Sequence, residues 1–206
     1  MTQLNNIVHT ALLLAGTVAA GGCKTFPASM DEYSAGFKQP EPPLVKSEFT
    51  TSFVQHKWNE NVSHIAAGFI TNSASKGVVH VDLAFDGSLA SSVFNYANVT
   101  DEGLVDNTVT TLLPNSTTLD VWQDYVNPNF PIFPEDILVQ SDAVFSGLVD
   151  KKFLTYPVAA WSIMYQGVIP TTVYVDNTGM LVGYDYFSPG LRTRVITEFF
   201  NTKATA

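Results

Sequence analysis

Apolar and polar side chains alternate with a period of two through most of this chain. The clearest run is 78–85, where Val79, Val81, Leu83 and Phe85 share one face. His80, Asp82, Ala84 and Asp86 share the other, which predicts a half-buried strand. Asp86-Gly87 follows as a tight turn into Leu89–Tyr96, and the two runs form a hairpin. Before them, Glu48–Lys57 and His64–Ile70 are strand candidates, separated from the hairpin by the turn-rich Thr71-Asn72-Ser73-Ala74-Ser75. After them, Val105–Leu113 reads as a strand stopped by Pro114-Asn115, and Leu119–Val126 as a strand or a short helix. Asn127–Pro134 is a proline-rich loop whose Phe130, Ile132 and Phe133 either fill the core or close over a cavity.

The last third repeats the pattern. Ala159–Gly167, Thr171–Val175 and Leu181–Phe187 are consecutive strands, the last two joined by the turn Asp176-Asn177-Thr178-Gly179. Pro189-Gly190 stops the third. Leu191–Asn201 is expected to form a terminal helix, with Val195, Ile196, Phe199 and Phe200 toward the sheet. No βαβ rhythm and no internal repeat appear. The expected fold is mainly β, a single curved antiparallel sheet shaped as an open barrel or clam, with a C-terminal helix and few others.

The two ends differ from this middle. Residues 6–20 are apolar, short and end in small side chains, the signature of a secretory signal peptide, with Val18 and Ala20 placed for cleavage before Gly21. No Lys or Arg precedes that core. Residues 21–47 carry Pro27, Pro40, Pro42 and Pro43 and read as an irregular arm. The expected organisation is a leader over 1–20, the arm over 21–47, one β-rich domain over 48–201 and a flexible tail over 202–206. Three acceptor triplets for N-linked glycans, at Asn61, Asn98 and Asn115, agree with a secreted, extracellular protein. The single cysteine, Cys23, rules out an intramolecular disulfide. It reads as a free thiol near the leader, or as the lipidated residue of a bacterial lipoprotein, although Ala20 stands where a bulkier aliphatic residue is expected.

Ten basic against nineteen acidic residues give a formal charge of −9, which disfavours nucleic acid and anionic membranes as partners. No integral membrane span is expected, because the leader is shorter than the roughly 20 apolar residues a span needs. Candidate chemistry is sparse. His80 and Asp82 are two residues apart on one strand face, so they are either a general base with its orienting acid or the wet side of a strand. His56, His64 and His80 show no metal-ligand spacing, and no metal site is expected. No Gly-x-Ser-x-Gly elbow and no phosphate-binding loop occur, so neither a hydrolytic triad nor a cofactor is expected. Arg192 and Arg194 are the only arginines; either grips an acidic ligand group or pairs with Asp185 or Glu198. Trp58, Trp122 and Trp161, with Tyr165, Tyr174, Tyr184 and Tyr186, either line an apolar pocket or fill a core.

The stretch from Ile169 to Phe187, continuing into Arg192 and Phe199-Phe200-Asn201, resembles the closing hairpin of the lipoprotein-carrier and ependymin-related bent-sheet proteins. The resemblance covers about a quarter of the chain. It implies a strongly bent antiparallel sheet that carries a lipid or another apolar molecule, and it implies no catalytic residue. The leading expectation is a secreted protein binding an apolar small molecule in the concave sheet. A cofactor-free isomerase or cyclase using His80 and Asp82, and a secreted interaction protein or effector without a small ligand, are the alternatives.

Overall fold

In the computed structural model, which describes residues 25–31 and 33–205, the alternation becomes eleven strands. They are β1 (Glu48–Trp58), β2 (Ser63–Ser73), β3 (Val78–Phe85), β4 (Ser88–Val99), β5 (Val105–Leu112) and β6 (Asp120–Val126). After a short α-helix, α1 (Ile137–Gln140), come β7 (Val144–Val149), β8 (Val158–Tyr165), β9 (Ile169–Val175), β10 (Leu181–Ser188) and β11 (Thr193–Ala204). The expected leader and Cys23 lie outside the described residues. Among the described residues no helix is long and apolar enough to cross a membrane.

All strands join one antiparallel sheet in the order β6-β5-β4-β3-β2-β1-β11-β10-β9-β8-β7. Two meanders therefore meet where β1 pairs with β11, and among the described residues β6 and β7 are the edges. The Asp86-Gly87 turn has both residues at positive φ, 46° and 79°, the twist that a two-residue hairpin needs. The β9–β10 turn is tied by Asp176, whose Oδ1 accepts from the Thr178 and Met180 backbone N–H groups at 2.8 and 2.9 Å.

The sheet is open and curved. Tyr96 on β4 and Tyr165 on β8 stand seven places apart in the strand order, about 34 Å across a flat sheet. Their phenols nevertheless lie close enough to influence one another electrostatically. The concave face holds one core, with Phe49, Phe53, Val79, Val81, Trp161, Val173 and Tyr184 all buried. A strap formed by residues 127–143 crosses that face between β6 and β7. Its Phe130 ring lies 5.2 Å from Phe53, and its Phe133 ring 5.5 Å from Tyr184. The N-terminal arm closes one end, with Val45 N–H donating to the Glu135 carbonyl and Lys46 N–H to the Gly179 carbonyl, both at 2.8 Å.

The expected terminal helix is corrected to a strand. Thr193, Val195, Thr197 and Phe199 point inward at every second position, and β11 pairs with both β1 and β10. Val195, Ile196, Phe199 and Phe200 satisfy a helical period too, but a helix there would leave β1 and β10 without a common neighbour. β11 also runs on to Ala204, through residues read as tail. Leu119–Val126 resolves to the strand β6.

Candidate functional site

His80 and Asp82 lie on the convex face of β3, opposite the buried Val79 and Val81. Their side chains are 43 % and 56 % exposed, and His80 Nε2 stands 3.3 Å from Asp82 Oδ1. The same Nε2 lies 2.9 Å from Ser91 Oγ on β4. Serine, histidine and aspartate thus meet, but not as a nucleophilic triad. A triad needs the acid on one ring nitrogen and the hydroxyl on the other, so that the base is oriented by one while it serves the other. Here both contacts fall on one nitrogen.

Beside this trio the convex face carries an apolar groove of about 470 Å³. Cross-strand register builds it: Ala67 on β2 pairs Ala84, Ala84 pairs Leu89, and Leu89 pairs Leu112. This row spans four strands, about 14 Å. Ala67 and Ala84 are small, so the floor dips to the backbone of Gly68, Leu83 and Ala90. Phe69, 65 % exposed, and Leu119 rise at its sides. Asp82, Ser91 and Thr110 supply the polar lining. The row was not singled out from sequence, although a signal was present. In β2, Ile65, Ala67 and Phe69 are apolar between the inward Ala66, Gly68 and Ile70, so the strand is apolar on both faces. An antiparallel strand with one face in water normally alternates.

The aromatic residues and Arg192 proposed as a ligand lining are divided between the two faces of the sheet. Trp161 and Tyr184 are fully buried in the concave core, with Trp161 against Phe145 at 5.3 Å. Tyr165 lies on the same face, under the strap. Trp58 is on the convex face, its ring 4.5 Å from His56 and 5.9 Å from the Arg194 guanidinium. Tyr174 is convex too, capped by Lys151 Nζ at 3.3 Å and donating to Asp185 Oδ2 at 2.9 Å. Trp122 sits on edge strand β6, 47 % exposed. Arg192 is exposed in the β10–β11 turn, and Arg194 lies 3.9 Å from Asp185. Asn61, Asn98 and Asn115 are all exposed. Among the described residues no group of three or more His, Cys, Asp or Glu side chains is gathered as for a metal.

The concave face also holds a phenol cluster that fastens the strap. Tyr184 Oη donates to the Asn129 carbonyl at 3.0 Å, and Tyr96 Oη to the Phe130 carbonyl at 2.6 Å. Tyr186 Oη and Lys57 Nζ both donate to Asn129 Oδ1, at 3.4 and 3.5 Å. Burial pushes the Tyr165 and Tyr186 phenols up to about 12 each, and Tyr96 and Tyr184 well above their usual range. Burial also lowers the Lys57 amine. The sign follows from linkage: the unfolded chain ionises its phenols first, near pH 10, so the stability they hold is complete below that pH and is lost as pH rises toward 12. Each phenol removes up to about 1.4 kcal/mol per pH unit in that window. Urea unfolding at pH 9, 10 and 11 should show the fall, and Tyr186→Phe should make it shallower. A flat profile to pH 11 would contradict the buried cluster.

No protein-family model matches this chain, and no curated protein matches it. Among solved structures it is similar to a DUF1329 family protein from Desulfovibrio piger, at 9% identity, covering 78% of this chain and 87% of that one with a TM-score of 0.32.

Proposed function

We propose that this protein binds an apolar small molecule, a lipid or a compound like one, in the convex groove over β2–β5. The groove carries the reading: it is open, lined almost wholly by carbon, and its volume lies within the range of about 300–1,000 Å³ common to small-molecule sites. A ligand against the concave sheet would have to compete with Phe130 and Phe133 of the strap for the same surface. The isomerase alternative is less well supported, because His80 is half exposed and both its contacts use one nitrogen. The proposal takes the protein as secreted, with the exposed Asn61, Asn98 and Asn115 as glycan acceptors.

Ala84→Phe tests the site. Ala84 faces outward, so a larger side chain there fills the groove floor without entering the core. A fluorescent long-chain alcohol should bind the unaltered protein saturably, and the variant at least about tenfold more weakly, a loss of roughly 1.4 kcal/mol. The thermal midpoint should stay put. Equal affinity in both proteins would refute the site. Reversible dimerisation that disappears in Ala84→Phe would make the groove a contact between copies and overturn the small-molecule reading.

A further inference from the structure

The polar lining of the groove is not scattered. Asp82 pairs Ser91, and Ser91 pairs Thr110, so the three form a second row on β3, β4 and β5. That row runs beside Ala84, Leu89 and Leu112, two residues away along each strand. One wall of the groove is therefore polar, while the floor and the opposite side are apolar. A pure hydrocarbon would leave that wall unused; a single-chain amphiphile would use both.

The charge on the wall decides which amphiphile. Asp82 is the only ionisable residue among those lining the groove. His80 Nε2, in contact with both Asp82 and Ser91, steadies the two side chains. Across the ladder, Asp82 pairs with Phe69 on β2, so an exposed aromatic ring neighbours the carboxylate. A carboxylate beside an aromatic ring attracts a cation through both charge and the ring quadrupole. The net charge of −9 adds to this and opposes an anionic head.

We propose that the groove takes a single-chain amphiphile with a protonated amine head, its alkyl chain along Ala67, Ala84, Leu89 and Leu112 and its ammonium against Asp82 and Phe69. This rests on the groove being the binding site. The head lies at a half-exposed carboxylate, so the selectivity is modest, about three- to fivefold for amine over alcohol.

Calorimetric titration with dodecylammonium, dodecanol and dodecanoate, each below its aggregation concentration, tests it on the full protein and on Asp82→Asn. The expected order is amine, then alcohol, then carboxylate. In Asp82→Asn the amine should lose most of its advantage over the alcohol, and the alcohol should be unchanged. An amine preference that survives undiminished in Asp82→Asn would trace to the overall charge and overturn the assignment. So would equal binding of all three probes, which would leave the groove itself as a site. Failure of every probe to bind would remove the groove reading along with this one. Phe69→Leu provides a second check, lowering amine affinity about twofold while leaving the carboxylate unchanged.

Discussion

Gly68→Ala should cost this protein about 3 kcal/mol or more, lowering its thermal midpoint by roughly 6–12 °C. Gly68 lies in β2 between Phe53 of β1 and Leu83 of β3. A methyl group there would stand 1.9 Å from the Asp82 carbonyl oxygen and 2.8 Å from Leu83 Cα. Both are backbone atoms, so no rotamer change relieves the clash and the β2–β3 ladder must part. The same ladder holds Ala67 against Ala84 and Phe69 beside Asp82, so the groove should lose its shape with the stability. Gly36→Ala is the control, because nothing lies within 4 Å of the equivalent position. Thermal unfolding of the two variants checks the difference; equal midpoints would mean that β2 and β3 are not so closely apposed.

Asn72→Ala should be of similar size, through loss of hydrogen bonds rather than a clash. Asn72 is buried on the concave side of β2. Its Nδ2 donates to the Phe133 carbonyl at 3.1 Å, and its Oδ1 accepts from Phe133 N–H at 3.1 Å. Nδ2 also reaches the Ser47 carbonyl, so one side chain fastens both the strap and the start of the domain to the sheet. Alanine strands the Phe133 N–H and carbonyl in a dry interior, at about 1–3 kcal/mol for each unsatisfied group. A total near 3 kcal/mol is expected. Amide exchange at Phe133 should quicken far more than at Val81 or Val173. Uniform quickening throughout would show that the strap has no separate fastening there.

Parity along a strand was readable from the sequence wherever the strand was regular. Val79 and Val81 are buried, and His80 and Asp82 lie on the other face, as alternation requires. Trp58 is an odd number of residues from Phe53, so its position on the opposite face follows from parity; so does that of Tyr174 between Val173 and Val175. Parity breaks at bulges. The β9–β10 register shifts between Leu181 and Gly183, where Gly183 has a φ of 150°, so the inward turn of Tyr184 cannot be counted from β9. The terminal segment failed for a related reason. Four apolar residues at positions 195, 196, 199 and 200 fit two periods, and only the inward Thr193 and Thr197 separate them. Which face of the sheet is convex is a property of all eleven strands together, and no local pattern carries it. The groove escaped notice because its floor is alanine, a residue that reads as neither core nor site until register lines up Ala67 and Ala84.

The most direct test of the central claim is methyl NMR of the protein titrated with dodecanol. The account predicts saturable shifts at the methyl groups of Ala67, Ala84, Leu89 and Leu112, with those of Val79, Val173 and Val195 unmoved. Shifts confined to the concave-face methyls, with the groove silent, would contradict it and place the ligand beneath the strap.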